Sequence, residues 1–142
     1  MNCLWMSFSF ALAAVVLGGC RPQQVATAVK TEPAKIELIE GTNLHRVTLS
    51  ETAAGRLGIQ TAVVREGAEA RTVIPYTAVF YDALGNSWTY TSPQPLTFVR
   101  EAIGGEYIDG NSAVLLAGPP LDTAMVTVGA PELFGAEFGV GH

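Results

Sequence analysis

Trp88-Thr89-Tyr90-Thr91-Ser92-Pro93-Gln94-Pro95-Leu96-Thr97-Phe98-Val99-Arg100-Glu101 alternates large apolar side chains with small polar ones around a proline-bearing middle. Trp88 and Tyr90 fall on one side, and Ser87, Thr89 and Thr91 on the other. Leu96 and Phe98 repeat the pattern, with Thr97 opposite. A period of two marks strands with one buried face. The stretch therefore predicts two short strands separated by a Pro-containing connection, and its aromatics supply much of the core.

Upstream, Asp82-Ala83-Leu84-Gly85-Asn86 is a hairpin loop with Gly where a positive φ is needed. Thr77 to Asp82 reads as the strand that enters it. Before that come a strand from Arg71 to Ile74, closed by Pro75 at a strand end or edge, and a turn over Glu66-Gly67-Ala68-Glu69. Further back lies a strand, short helix, strand unit. Leu44 to Leu49 is the first strand, with Val47 and Leu49 on one face. Ser50 is the helix N-cap, Glu51 suits the positive end of the helix dipole, and Ala53, Ala54 and Leu57 line one side. Gly58 ends the helix, and Ile59 to Arg65 returns as a strand.

Downstream, Ala102 to Asn111 is irregular, with turn signals at Gly104-Gly105 and Asp109-Gly110. Ala113 to Leu116 is a short strand, broken by Gly118-Pro119-Pro120-Leu121-Asp122. Ala124 to Val128 is another strand, with Ala124, Val126 and Val128 on one face, and Pro131 to Phe134 is a single helical turn with Pro at its start. The expected fold is mainly β: a small antiparallel β-roll or barrel-like domain of about eight short strands with one short helix.

Composition agrees. Fifteen Gly and eight Pro favour turns over helix, and the formal charge of −5 carries no electrostatic case for nucleic acid. The two cysteines, Cys3 and Cys20, lie outside the globular part, so that part holds neither a disulfide framework nor a thiol site.

The N-terminus reads as an address. Leu4 to Gly19 is apolar apart from Ser7 and Ser9, and falls short of the ~20 residues that span a bilayer comfortably. It suits the apolar region of a secretory signal peptide, although the segment before it carries no Lys or Arg. It ends in Leu17-Gly18-Gly19-Cys20, which resembles the lipobox of bacterial lipoproteins. That resemblance implies diacylglyceryl transfer to Cys20 and cleavage before it, giving a lipid anchor on the extracytoplasmic, periplasmic side of the cell membrane. The expected organisation is a signal peptide over 1–19, a tether over 20–43, a β-domain over 44–135 and a Gly-rich tail over 136–142.

Catalytic patterns are missing. His45 and His142 are the only histidines, and no metal-ligand spacing includes them. Met125 reads as core. Asp82, Glu101, Glu106, Asp109 and Asp122 mostly fall at turns or strand ends, where solvation explains them. Ser50, Ser87, Ser92 and Ser112 lack a nucleophile-elbow setting, and no glycine pair has the context of a phosphate loop. Trp88, Tyr90, Tyr76, Phe80, Tyr81 and Phe98 form either a stacking surface or, as expected for Trp88 and Phe98, part of the core. No catalytic residue, cofactor or metal is expected.

Two blocks resemble the periplasmic adaptor subunits of RND-type efflux pumps, the membrane fusion proteins. The first runs from Val47-Thr48-Leu49-Ser50 to Leu57-Gly58-Ile59-Gln60-Thr61. The second comprises Ile74-Pro75-Tyr76-Thr77-Ala78-Val79 and Gly85-Asn86-Ser87-Trp88-Thr89-Tyr90, continued by Phe98-Val99-Arg100 and Val126-Thr127-Val128-Gly129-Ala130. In that family the blocks meet as the membrane-proximal β-domain. Only eight residues separate Val64 from Val73, where full adaptors insert lipoyl, hairpin and barrel domains. The resemblance thus implies the membrane-proximal module alone: a non-enzymatic lipoprotein accessory to transmembrane transport, in contact with an RND-type transporter or another envelope protein. The alternative is a stand-alone small-ligand or metal-binding lipoprotein with an apolar pocket at Trp88 or Tyr90.

Overall fold

The computed structural model describes residues 32–139. The signal segment, Cys20 and His142 lie outside these residues. The elements in chain order are β1 (Ala34–Leu38), β2 (His45–Leu49), α1 (Glu51–Leu57), β3 (Gln60–Val63), β4 (Arg65–Glu66), β5 (Thr72–Pro75), β6 (Phe80–Tyr81), β7 (Ser87–Gln94), β8 (Thr97–Ala102), β9 (Tyr107–Asp109), β10 (Ser112–Leu115), β11 (Ala124–Val128) and α2 (Ala130–Phe138).

Among the described residues the fold is mainly β and every strand pairing is antiparallel. A seven-stranded sheet has the order β1-β2-β8-β7-β11-β3, with β6 also paired to β7, and a four-stranded sheet has the order β4-β5-β10-β9. Both sheets are open, so the described residues form two sheets and two α-helices rather than a closed barrel. The stretch from Trp88 to Glu101 forms β7 and β8 at the centre of the larger sheet, with Trp88 opposite Ala102 and Tyr90 opposite Arg100. Leu96 leaves the expected alternation. It sits in the turn at φ 59°, and its carbonyl accepts the Leu49 N–H at 2.9 Å.

The central sheet is buried on both faces, where the alternation predicts one buried face only. On one face Val47, Leu49, Tyr90, Phe98 and Val126 pack under Ala130 and Leu133 of α2. On the other, Met125 joins Val64, Ile74, Ala78, Ile103, Ala113 and Leu115, linking the two sheets. Thr89 and Thr91 belong to this second face, since Thr91 pairs with Met125, and both are buried. Each large apolar side chain so buried contributes about 1.5–3 kcal/mol.

The local signals around α1 operate as expected. The Ser50 hydroxyl accepts the Ala53 N–H at 3.2 Å, and Gly58 closes the helix at φ 62°, ψ 33°. The strand expected from Ile59 to Arg65 divides at Val64. There the Val64 N–H donates to Thr123 and its carbonyl accepts from Asp122, so β3 stays in the large sheet while β4 starts the small one. The eight-residue join is a hairpin, with Arg65 opposite Val73 and Glu66 opposite Thr72.

Further expectations change, and the segment Ala102 to Asn111, read as irregular, carries β9. Thr77 to Asp82 is not one strand: Tyr76–Ala78 is a 3₁₀ turn, tied by the Tyr76 N–H to the Asn111 carbonyl, and only Phe80–Tyr81 is extended. Ala34–Leu38, read as tether, is the strand β1, paired with β2. The one-turn helix at Pro131 continues through Gly135 to Phe138, into the segment read as tail.

Candidate functional site

The register places three polar side chains in a row on the α2 side of the large sheet. Tyr90 lies opposite Arg100. Arg46 lies opposite Val99, which brings the neighbouring His45 beside Arg100. Above them α2 presents Ala130, Leu133 and Glu137 as its buried stripe, at the three- and four-residue spacing of a helix face. Glu137 is the focus of the row. Its Oε2 accepts the Tyr90 hydroxyl at 2.6 Å, and its Oε1 lies 3.4 Å from an Arg100 terminal nitrogen and 3.5 Å from His45 Nδ1.

The Glu137 side chain is wholly buried and that of Arg100 is 8% exposed. The Arg100 guanidinium lies 4.2 Å from the Trp88 ring centre and 5.1 Å from that of Phe138. His45 meets Phe138 edge-on, and Phe80 stacks on Tyr90 at 5.1 Å. Burial pushes the Tyr90 hydroxyl well above its ordinary range, and the hydrogen bond to Glu137 adds to the shift. Glu137 Oε1, Arg100 Nε and His45 Nδ1 make no aligned hydrogen bond, so one carboxylate oxygen is held by charge alone. The opposed charges of Glu137 and Arg100 offset each other's burial. The Tyr90 ring and the Glu137 carboxylate are both buried between the sheet and α2. This cluster fastens α2 to the sheet.

Two surface features flank it. A groove of about 1450 Å³ runs between β1, α1 and α2, lined by apolar residues such as Ile36, Leu49, Leu57 and Pro131 together with Glu51, Arg56 and Glu132. A smaller depression of about 590 Å³ lies against Trp88, Arg100 and Glu101. Tyr90 is buried and lines neither. The pocket expected at Trp88 or Tyr90 thus reduces to that shallow depression, and the larger groove lies elsewhere.

The other candidate residues are dispersed. Phe98 is core, Trp88 is half-buried, and Tyr76 and Tyr81 are exposed. Ser50 caps α1, Ser87 donates to Glu106, and Ser92 donates to the Gln94 carbonyl. Burial raises the Glu101 carboxyl above the usual range. Among the described residues no group of three His, Cys, Asp or Glu side chains is placed to hold a metal. No helix among them is long and apolar enough to cross a membrane.

Asp82 organises the hairpin loop. Its Oδ1 accepts the Leu84 and Asn86 N–H groups, and its Oδ2 accepts the Asn86 amide at 2.8 Å and Trp88 Nε1 at 3.0 Å. The Asn86 side-chain amide, then the Trp88 and backbone donors, hold its carboxyl well below the usual range. The folded state thus favours the charged form. The stabilisation is present above the unfolded value of ~3.9 and is lost as pH falls through the depressed folded value. Urea midpoints measured from pH 5 down to pH 2 are expected to fall more steeply in the wild type than in Asp82→Asn. Equal slopes would remove Asp82 as the cause.

Glu137 and Arg100 were not singled out from sequence. Glu137 lies between Gly135 and Gly139 in an apparent tail, and no local signal marks a carboxylate that is buried only after a helix folds back. Comparison of the chain with models of protein families, with curated proteins and with solved structures returns no match.

Proposed function

We propose that this chain is a lipid-anchored, extracytoplasmic, non-enzymatic module that assists membrane transport through protein–protein contact. The observation that carries the reading is the open groove between β1, α1 and α2, which begins at Pro33 and Ala34, where the segment leading from Cys20 reaches the domain. Thirteen residue steps from Cys20 to Pro33 reach at most about 45 Å when fully extended. An anchored domain would therefore offer this groove close to the bilayer, within reach of a transporter's extracytoplasmic face. Its lining is mostly apolar and includes Glu51, Arg56 and Glu132. That chemistry fits an apolar segment bearing a basic residue. In this reading the pairing of β2 with β8 and of β3 with β11 joins the two blocks that carry the adaptor resemblance.

A photo-cross-linking residue at Leu57 or Glu132, in the full-length chain in its own membrane, tests the reading. A transporter component should be recovered from these positions and not from Leu84, an exposed side chain that does not line the groove. Recovery of no transport component from either groove position would overturn it.

A further inference from the structure

β1 forms one border of the large sheet, and among the described residues no strand pairs with its outer side. Which backbone groups face outward follows from the β2 register. The Ser50 N–H donates to the Pro33 carbonyl and the Ile39 N–H to the Leu44 carbonyl, which makes the odd-numbered residues of β1 the hydrogen-bonded partners of β2. Ala34, Ile36 and Leu38 therefore turn their N–H and C=O groups toward the free edge. Their side chains share the α2 face with Val47 and Leu49, while Lys35 and Glu37 project from the opposite face, ion-paired at 2.8 Å. Ile36 is 38% exposed and Leu38 63% exposed.

We propose that this edge pairs antiparallel with β1 of a second copy of the chain, about a two-fold axis through Ile36. In that register Ile36 exchanges backbone hydrogen bonds with the second copy's Ile36, and Ala34 does so with the second copy's Leu38. Lys35 then stands directly opposite the second copy's Glu37, and Glu37 opposite its Lys35. These are non-hydrogen-bonded positions, where facing side chains approach most closely. The charges also select the register. Moving the axis to Lys35 sets Lys35 against Lys35, and moving it to Glu37 sets Glu37 against Glu37. Moving it by half a residue pairs an apolar face with a charged one.

A lysine on an edge strand ordinarily keeps other strands away, and here the glutamate two residues on makes it self-complementary instead. The Leu38 side chain comes to lie against the second copy's Ala34, covering apolar surface that is otherwise exposed. The two grooves become neighbours across the axis. The inference is independent of the transport reading, because the second copy, and not a transporter, occupies the edge.

Cysteine cross-linking in membranes, with the full-length chain carrying Cys3→Ser, tests the pairing. Under mild oxidation Ile36→Cys should give a disulfide dimer, since residues facing each other across an antiparallel pair fall within disulfide reach. Leu84→Cys, exposed but remote, should not, and the parent chain with Cys20 alone sets the background. Adding Lys35→Glu to Ile36→Cys should reduce the dimer about fivefold, because both facing pairs become like-charged. Adding Lys35→Glu together with Glu37→Lys should restore it. No more dimer from Ile36→Cys than from Leu84→Cys would overturn the proposal. So would a single reversal without effect, or a double swap that fails to restore.

Discussion

Replacing Glu137 with Ala is expected to lower the stability of the domain by about 3–5 kcal/mol, the loss that follows when one partner of a buried ion pair is removed. The substitution leaves the Tyr90 hydroxyl without its acceptor and the Arg100 guanidinium buried without its counter-charge. Domains of this kind have only about 5–15 kcal/mol in total, so the variant would sit near the threshold of folding. Urea denaturation followed by tryptophan fluorescence measures the change, with equal slopes for the two proteins showing that stability alone has moved. Glu137→Gln should lose less, because its amide oxygen still accepts from Tyr90. Changing the pair together, Glu137→Leu with Arg100→Met, should recover much of the loss, because apolar replacements remove both desolvation penalties. A cost below about 1 kcal/mol for Glu137→Ala would mean that the cluster does not fasten α2.

Phe98→Ala should be as damaging for a different reason. Phe98 is 2% exposed and packs in the cluster formed by Val47, Leu49, Tyr90, Val126 and Leu133. It also lies opposite Val47 across the β2–β8 pair. Truncation removes the ring's transfer free energy and leaves a cavity between two central strands and α2, a loss of about 3–5 kcal/mol. Leu84→Ala, at a side chain 88% exposed, should stay within about 0.5 kcal/mol of the parent. The contrast in urea midpoints between these two variants separates core packing from apolar composition. Comparable shifts would place the core elsewhere.

These two expectations differ in how readable their residues are. Phe98 announces itself by alternation with Thr97 and Val99, and its burial follows from that pattern. Glu137 does not. A carboxylate beside Gly135 and Gly139 reads as solvated tail, because glycine disfavours a helix interior by about 1 kcal/mol. The packing of Leu133 and Ala130 on the sheet outweighs that local preference. Arg100 lies within a visible strand, yet its stacking on Trp88 and Phe138 depends on where α2 lands.

By itself the sequence determined what depends on neighbours along the chain. Ser50, Glu51 and Gly58 bound α1 because capping needs only adjacent backbone groups. Asp82 and Gly85 set the hairpin because side-chain-to-backbone bonds of that span are local. The alternation around Trp88 and Phe98 marked the central strands, and with them a mainly β, antiparallel domain. Tertiary structure decided what depends on distant partners. It recruited Ala34–Leu38 as a border strand through pairing with β2 and split the Ile59–Arg65 strand between two sheets at Val64. It buried both faces of β7 and carried α2 past Gly135, so that Glu137 met Tyr90, Arg100 and His45. Periodicity records which side of a strand is apolar. Which strand lies beside it, and what covers each face, is set by the free energy of packing the whole chain.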